Sequence, residues 1–331
     1  MLLLPPNRLP VGVHERHARL RDYFLDKDAA AIPSADGWRL TLDWPEGEER
    51  HVDPRLAEGL AWWGEGVTRG TMALQNRRAG PILTALYDTW TLVSWSDWLA
   101  RQDASPGHLT ILHIDDHRDL GSPRLFREDG VLRDGITGAV VDLWRPDTVR
   151  AALLSGAIGM GSFMTPFLHA FPLADVRHLC QPPKAVGTAD FDIGITTEPD
   201  TLLEPGIARP AVRLSPSNLG MGPGRYRITS SVARWLEGVR SGPALLHIDM
   251  DYFNNRYDGD SAWAEVVPAF DPSLDQILAK IDELVAAVSQ PGLPCRVDDV
   301  VVAYSPGFFP AEYWSAADTR LRAGLERLHE S

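Results

Sequence analysis

Two apolar runs that end in carboxylates constrain the fold of this chain more than any other feature of its sequence. Residues 108–114 and 243–248 are apolar enough to form buried strands, and acids follow each run directly. Residues 115–119 read Asp-Asp-His-Arg-Asp, and residues 249–251 read Asp-Met-Asp. In a doubly wound sheet, ligands bind at the carboxyl ends of the strands, so two such ends on neighbouring strands would direct their acids into one crevice. The pattern favours an α/β sheet with an acidic site at one edge.

The spacing of these acids is typical of a metal site. Asp115, His117 and Asp119 alternate by two residues, as do Asp249 and Asp251, so an extended chain would turn each set to one side. Carboxylates that share a small pocket must take up protons or bind cations. Oxygen ligands with one imidazole suit Mn²⁺ or Fe²⁺ better than structural zinc, and the number of acids favours two ions. Two such ions would activate a water molecule for attack on a trigonal carbon.

The remainder of the chain alternates predicted strands with predicted helices. Residues 29–44 indicate a hairpin, Asp53-Pro54 starts a helix, and Asp271-Pro272 starts the clearest amphipathic helix. This alternation predicts a three-layer α/β fold, with a mostly parallel sheet and helices on both faces. We expect one main domain over residues 76–331, with residues 1–75 packed on it as an N-terminal elaboration of helices and a hairpin.

The composition excludes some classes of partner. The formal net charge of −13 argues against a nucleic-acid-binding protein and suits a cationic or Arg-containing substrate. Cys180 and Cys295 are too few for a disulfide framework or a thiolate metal site. Prolines interrupt the apolar residues 1–6 at once, so they predict neither a signal sequence nor a membrane span. We expect a cytoplasmic protein with no membrane partner; the sequence carries no signature of its oligomeric state.

The two acidic motifs resemble those of the arginase, agmatinase and deacetylase (ureohydrolase) superfamily, whose second motif usually begins with Ser where this chain has His247. The closer resemblance is to the peptide arginases of ribosomal-peptide (RiPP) maturation and their largely uncharacterised relatives. Those proteins share a His-Ile-Asp-x-His-x-Asp-Leu run, like residues 113–120, and a segment similar to Gly-Ser-Phe at 161–163. They also share runs similar to residues 249–256 and 305–308. The resemblance covers about residues 81–310.

The resemblance implies an arginase-like fold and a Mn²⁺-dependent enzyme with two ions. The metal ligands that it implies are Asp115, His117, Asp119, Asp249 and Asp251. Asp115 and Asp249 would bridge the ions, and a metal-bound hydroxide would hydrolyse the side chain of an Arg within a peptide substrate to ornithine and urea. The superfamily takes a further histidine from an upstream strand end, and the matching stretch here, residues 87–90, has none. Either Asp88, His108 or another histidine completes the first ion's ligands, or the centre is mononuclear or impaired.

Further residues near the motifs are candidates for supporting roles. His113 and His247 each lie two residues before the first Asp of a motif, so we favour them, with Asp116, as buried partners of the ligands or as proton-transfer groups; plain core histidines are the alternative. Five polar residues after the second motif are candidates for substrate binding: Asn254, Asn255, Arg256, Asp258 and Asp260. Of these, Asp258 or Asp260 would suit a guanidinium, and a solvated polar loop is the alternative.

Three other interpretations remain open at the level of sequence. The same fold would serve an amide or amidine hydrolase, such as a deacetylase, which releases a carboxylate instead of urea. A metal-stabilised protein that binds Arg-containing peptides without turnover is favoured by the missing upstream histidine. Finally, the acids could merely cap helices, although caps rarely form two dense clusters that each follow a buried strand.

Overall fold

A large mixed β-sheet runs through the protein, whose computed structural model describes residues 2–217, 222–260, 262–265, 267 and 270–326. The strands are β1 (Leu2–Leu4), β2 (Asp28–Ser34), β3 (Gly37–Asp43), β4 (Asn76–Ala79), β5 (Ile82–Ala85), β6 (Thr110–Ile114), β7 (Leu125–Glu128), β8 (Val131–Asp134), β9 (Val140–Val141), β10 (Asp175–Leu179), β11 (Thr188–Pro199), β12 (Ala208–Pro216), β13 (Gly224–Thr229), β14 (Gly242–Asp249) and β15 (Cys295–Ala303). The helices are α1 (Val13–Phe24), α2 (Leu56–Trp63), α3 (Arg69–Met72), α4 (Trp90–Leu99), α5 (Pro146–Ser155), α6 (Met164–Ala170), α7 (Val232–Leu236), α8 (Leu274–Val288) and α9 (Trp314–Leu325). The predicted α/β class is confirmed.

The order of strands in the large sheet is β12-β11-β13-β10-β6-β14-β15-β5-β4. Neighbours from β13 to β5 are parallel, whereas β4, β11 and β12 pair antiparallel at the two edges. The two apolar runs of the sequence become β6 and β14, which pair directly with Ile114 opposite Ile248. Their carboxyl ends therefore meet, and the acids that follow them enter the same space.

Local sequence explains the main elements around this sheet. Every residue of β6 is buried, as expected for a central strand of a parallel sheet. The predicted helix at Asp271-Pro272 begins at Leu274, since Ser273 and Gln276 form a capping box at its start. The predicted hairpin is β2 and β3. None of the helices in the described part of the chain has the length and apolar character needed to cross a membrane.

The N-terminal region forms a small sheet in the order β1-β3-β2, beside α1. An apolar cluster joins this region to the rest of the chain, and its buried members are Leu4, Leu9, Leu20, Tyr23, Phe24, Leu40, Phe126, Leu202 and Leu203. Hydrogen bonds also cross the same boundary. The Tyr23 hydroxyl donates to Asp200 over 2.6 Å, and Asp26 accepts the backbone N–H of Met160 over 2.7 Å.

Candidate metal centre

The acids of both motifs meet in one cavity of about 260 Å³ at the carboxyl ends of β6 and β14. Its polar lining is Asp88, His117, Asp119, Asp249, Asp251 and Ser305, and its other walls are Leu120, Gly121, Met160, Gly161 and Phe308. Four of the five predicted ligands therefore line the cavity. The fifth, Asp115, is buried beside them and accepts the N–H of His117 over 2.5 Å.

Three of these side chains have the spacing of ligands to one ion. His117 Nδ1 lies 2.8 Å from Asp251 Oδ2 and 3.6 Å from Asp115 Oδ1. Ligand atoms about 2.1 Å from an octahedral ion lie about 3 Å apart, so these separations suit a small divalent cation. Asp115, His117 and Asp251 form one group that could hold a metal ion, and His113, Asp115, Asp119 and His247 form another.

Hydrogen bonds favour a supporting role for His113. Its Nε2 donates to the carbonyl of His117 over 3.0 Å, so its Nδ1 accepts from His247 Nδ1 over 3.0 Å. His247 Nε2 is then a buried acceptor with no partner among the described residues, so this nitrogen is free to bind a cation. Both nitrogens of His113 are occupied by protein groups, which suits a residue that holds the strand-end turn.

Unpaired carboxylate oxygens indicate that the site is built for cations. Asp88 Oδ1, Asp115 Oδ2 and Asp119 Oδ2 are buried without a hydrogen-bond partner in the described part of the chain, an arrangement that costs free energy unless a cation or proton is present. Burial and, after it, neighbouring carboxylates raise the pKa of Asp88, Asp115 and Asp249 well above the usual range. The donor set, oxygens with one imidazole, fits a hard divalent ion such as Mn²⁺.

Asp88 lies in the stretch of residues 87–90, where the family resemblance implies a histidine that this chain does not have. It follows β5, lines the cavity, and accepts the N–H of Gly161 through Oδ2 over 2.8 Å, while Oδ1 is the unpaired oxygen. His108, the other named candidate, precedes β6 and therefore lies at the opposite end of that strand from the cavity. Of these two, the structure brings only Asp88 to the site.

Ser305, which sequence reasoning did not single out as a site residue, orients one of the acids. Its hydroxyl donates to Asp249 Oδ2 over 2.6 Å. The φ angles of Asp119, Asp258 and Ser305 are 52°, 49° and 43°, a left-handed conformation that is uncommon outside glycine. A residue keeps such a strained backbone conformation only where the surrounding structure holds it in place. Residues of this kind are enriched at functional sites.

The polar residues after the second motif divide into two groups. Asn254 and Arg256 both bond to Asp271 over 2.9 Å, and Asp260 is exposed and accepts a backbone N–H of its own loop. Asn255 and Asp258, in contrast, do not line the cavity but lie close to the first motif. Asn255 donates to Asp116, and Asp258 contacts His117 Nε2. Lys184 joins this second group, and nothing in the sequence near Lys184 resembles the motifs.

A third histidine lies beside the other two. His178 on β10 is opposite His113, and its Nε2 donates to the Asp115 carbonyl over 3.0 Å. The Tyr226 hydroxyl donates to His178 Nδ1 over 2.7 Å. Three adjacent strands thus place imidazoles in one row beneath the turn that carries Asp115. The residues around His178 match neither acidic motif, so only its position on β10 identifies it.

Comparison of the chain with protein-family models and with curated protein sequences finds no match. The function is therefore inferred from the chemistry of the site.

Proposed function

We propose that the protein is a Mn²⁺-dependent hydrolase of arginase-like fold that converts the side chain of an Arg in a peptide to ornithine, with release of urea. The observation that carries this proposal is the convergence of six buried or half-buried side chains with carboxylate or imidazole groups, which follow β5, β6 and β14 or end β14: Asp88, Asp115, His117, Asp119, Asp249 and Asp251. The parallel middle of the large sheet is compatible with the arginase-like architecture.

The side chains suffice for two ions. Asp88 and Asp119 would serve one ion, and His117 and Asp251 the other. Asp115 and Asp249 would be shared, as the family resemblance implies. Divalent ions at such a site supply a water nucleophile that is active at neutral pH. Ser305 keeps Asp249 in a single orientation through its hydrogen bond.

The charge and shape of the cavity support a cationic substrate. The four carboxylates that line the cavity and the buried Asp115 beside them together outnumber the four positive charges of two divalent ions, so the loaded site would keep a negative charge that favours a guanidinium over a neutral amide. The apolar walls made by Leu120, Met160 and Phe308 suit the methylene stem of an Arg side chain. These features weigh against the deacetylase alternative, whose substrate is neutral.

The test is urea release by protein reconstituted with Mn²⁺, measured separately with an Arg-containing peptide and with free arginine. We expect urea and a peptide ornithine from the first substrate only, and loss of both in Asp249→Ala. Asp129→Asn, at an exposed turn residue, serves as the control and should keep full activity. Bound Mn²⁺ without urea from either substrate would contradict the proposal, and tight binding of an unchanged peptide would support the non-catalytic alternative.

A further inference from the structure

The imidazole of His117 is held between two carboxylates. Nδ1 lies 2.8 Å from Asp251 Oδ2, on the side of the cavity, and Nε2 lies 3.1 Å from Asp258 Oδ1 on the opposite side. A neutral imidazole carries one proton, and the nitrogen that binds a metal must be the unprotonated one. With Nδ1 in the cavity as the ligand atom, Nε2 must carry the proton and donate it to an acceptor. Asp258 is that acceptor.

Asp258 is itself fixed by two neighbours. Lys184 Nζ lies 2.9 Å from Asp258 Oδ1 and 2.8 Å from Asp116 Oδ2. The amide nitrogen of Asn255 donates to the same two oxygens over 2.8 and 2.7 Å, and its Oδ1 accepts the N–H of Asp258. The oxygen of Asp258 that faces His117 is therefore already surrounded by donors from the protein.

Lys184 Nζ also lies 3.0 Å from His117 Nε2. A protonated Nε2 has no lone pair for an ammonium, so in the metal-ligating tautomer Lys184 can donate only to the carboxylates. Lys184 then offsets part of the negative charge of Asp116 and Asp258 and leaves the His117–Asp258 hydrogen bond intact. These contacts explain why a single lysine lies among the acids at this edge of the site.

We propose that Asp258 and Lys184 are positioning residues of the metal centre: Asp258 holds His117 in its metal-binding tautomer and orientation, and Lys184 holds Asp258. This inference rests on the metal centre of the proposed function, but not on which bond is hydrolysed. It replaces guanidinium recognition as the role of Asp258. That side chain does not line the cavity, and its Oδ1 already contacts His117, Lys184 and Asn255.

The test is calorimetric titration of the metal-free protein with MnCl₂. Removal of a carboxylate partner from a metal-binding histidine typically weakens metal affinity about 10- to 100-fold, so Asp258→Asn should weaken one of the Mn²⁺ sites by that factor. Lys184→Met should weaken the same site about tenfold, and Lys184→Arg should restore most of the affinity, since it keeps a cation beside Asp258.

Two matched variants control for general effects. Asp129 has the same φ of 49° as Asp258, in an exposed turn, so Asp129→Asn reports the cost of the substitution itself. Lys280 is 31% exposed, against 32% for Lys184, and pairs with Glu283 on α8. Asp129→Asn and Lys280→Met should bind Mn²⁺ like the wild type. The thermal midpoint of each metal-free variant shows whether it is folded.

The outcomes distinguish the positioning role of Asp258 from the proposed reaction. Unchanged Mn²⁺ affinity in folded Asp258→Asn, with a raised KM for the peptide, would overturn the positioning role in favour of substrate recognition. Weakened Mn²⁺ affinity in Asp258→Asn would support the positioning role even if the wild-type protein binds Mn²⁺ and releases no urea. The absence of urea from the wild type would contradict only the proposed reaction. A wild-type protein that binds no divalent metal would overturn both.

Discussion

Asp88 is the residue on which the number of ions in the proposed centre would depend. Its Oδ1 is a buried oxygen without a described partner, and it offers a carboxylate where the family resemblance implies an imidazole. A carboxylate ligand favours hard ions such as Mn²⁺ over softer ones. The all-oxygen set around this position should therefore discriminate against Zn²⁺.

Without Asp88, only three carboxylates remain for the first ion, and two of them are shared with the second ion. We therefore expect Asp88→Ala to bind one Mn²⁺ per chain, whereas the wild type should bind two. Asp88→His should keep two ions and gain affinity for Zn²⁺. Elemental analysis after gel filtration measures the stoichiometry. Asp103→Ala, at an exposed acid between α4 and β6, is the control. Two tightly held ions in Asp88→Ala would exclude this residue as a ligand.

Ser305 combines a hydrogen bond with an unusual backbone angle, and two substitutions separate these contributions. Ser305→Ala and Ser305→Gly both remove the hydroxyl that orients Asp249, and a hydrogen bond to a charged group contributes about 1.5–3 kcal/mol. Both variants should therefore lose at least about tenfold in kcat. Ser305→Gly should be more stable than Ser305→Ala, since glycine adopts the φ of 43° freely. Equal stabilities in urea unfolding would show that the backbone is not strained there.

At the scale of elements, adjacent parallel strands carry the site and its support. The two apolar runs predicted β6 and β14, and the structure shows that they pair directly. Asp88, which follows β5, was one of the candidates for the first ion, whereas the contribution of His178 from β10 was not predicted. Hydrophobic periodicity tells which residues form a strand, but not which strands become neighbours, so residues brought in by topology leave no local signal.

The row of histidines across β10, β6 and β14 should behave as a coupled unit. Tyr226→Phe removes one buried hydrogen bond and should cost about 1 kcal/mol of unfolding free energy. His178→Leu leaves both the Tyr226 hydroxyl and the Asp115 carbonyl without their partner, so it should cost more, about 2–5 kcal/mol. The double variant should cost less than the sum of the two, as measured by chemical denaturation. Additive costs would show that Tyr226 and His178 are independent.

At the scale of the whole molecule, the site couples metal binding to pH. In the metal-free protein, burial and neighbouring carboxylates raise the pKa of Asp88, Asp115 and Asp249. Groups whose pKa is raised on folding stabilise the protein below the ordinary value of 3.8, and that stability is lost as the pH rises through their raised pKa values. Mn²⁺ replaces the protons, so its stabilising effect must grow as the pH increases.

We therefore expect the thermal midpoint in a chelator to fall as the pH rises above the ordinary carboxyl value of 3.8 and through the raised pKa values, while the midpoint with Mn²⁺ falls less. The difference between the two midpoints should widen toward high pH, and Mn²⁺ binding should release protons into a weakly buffered solution. Differential scanning fluorimetry and pH-stat titration measure these effects. A difference that does not depend on pH would contradict the assignment of the raised carboxyls to the metal centre.

The N–H that Asp26 accepts belongs to Met160, whose side chain forms a wall of the cavity. A fragment that begins at residue 76 would keep the large sheet and every proposed ligand, yet it would remove the acceptor of this amide and the Tyr23 hydroxyl that donates to Asp200. Such a truncation would thus disturb a wall of the cavity. The small sheet and α1 therefore support the candidate metal centre from outside its own strands, and variants made to test that centre should keep them.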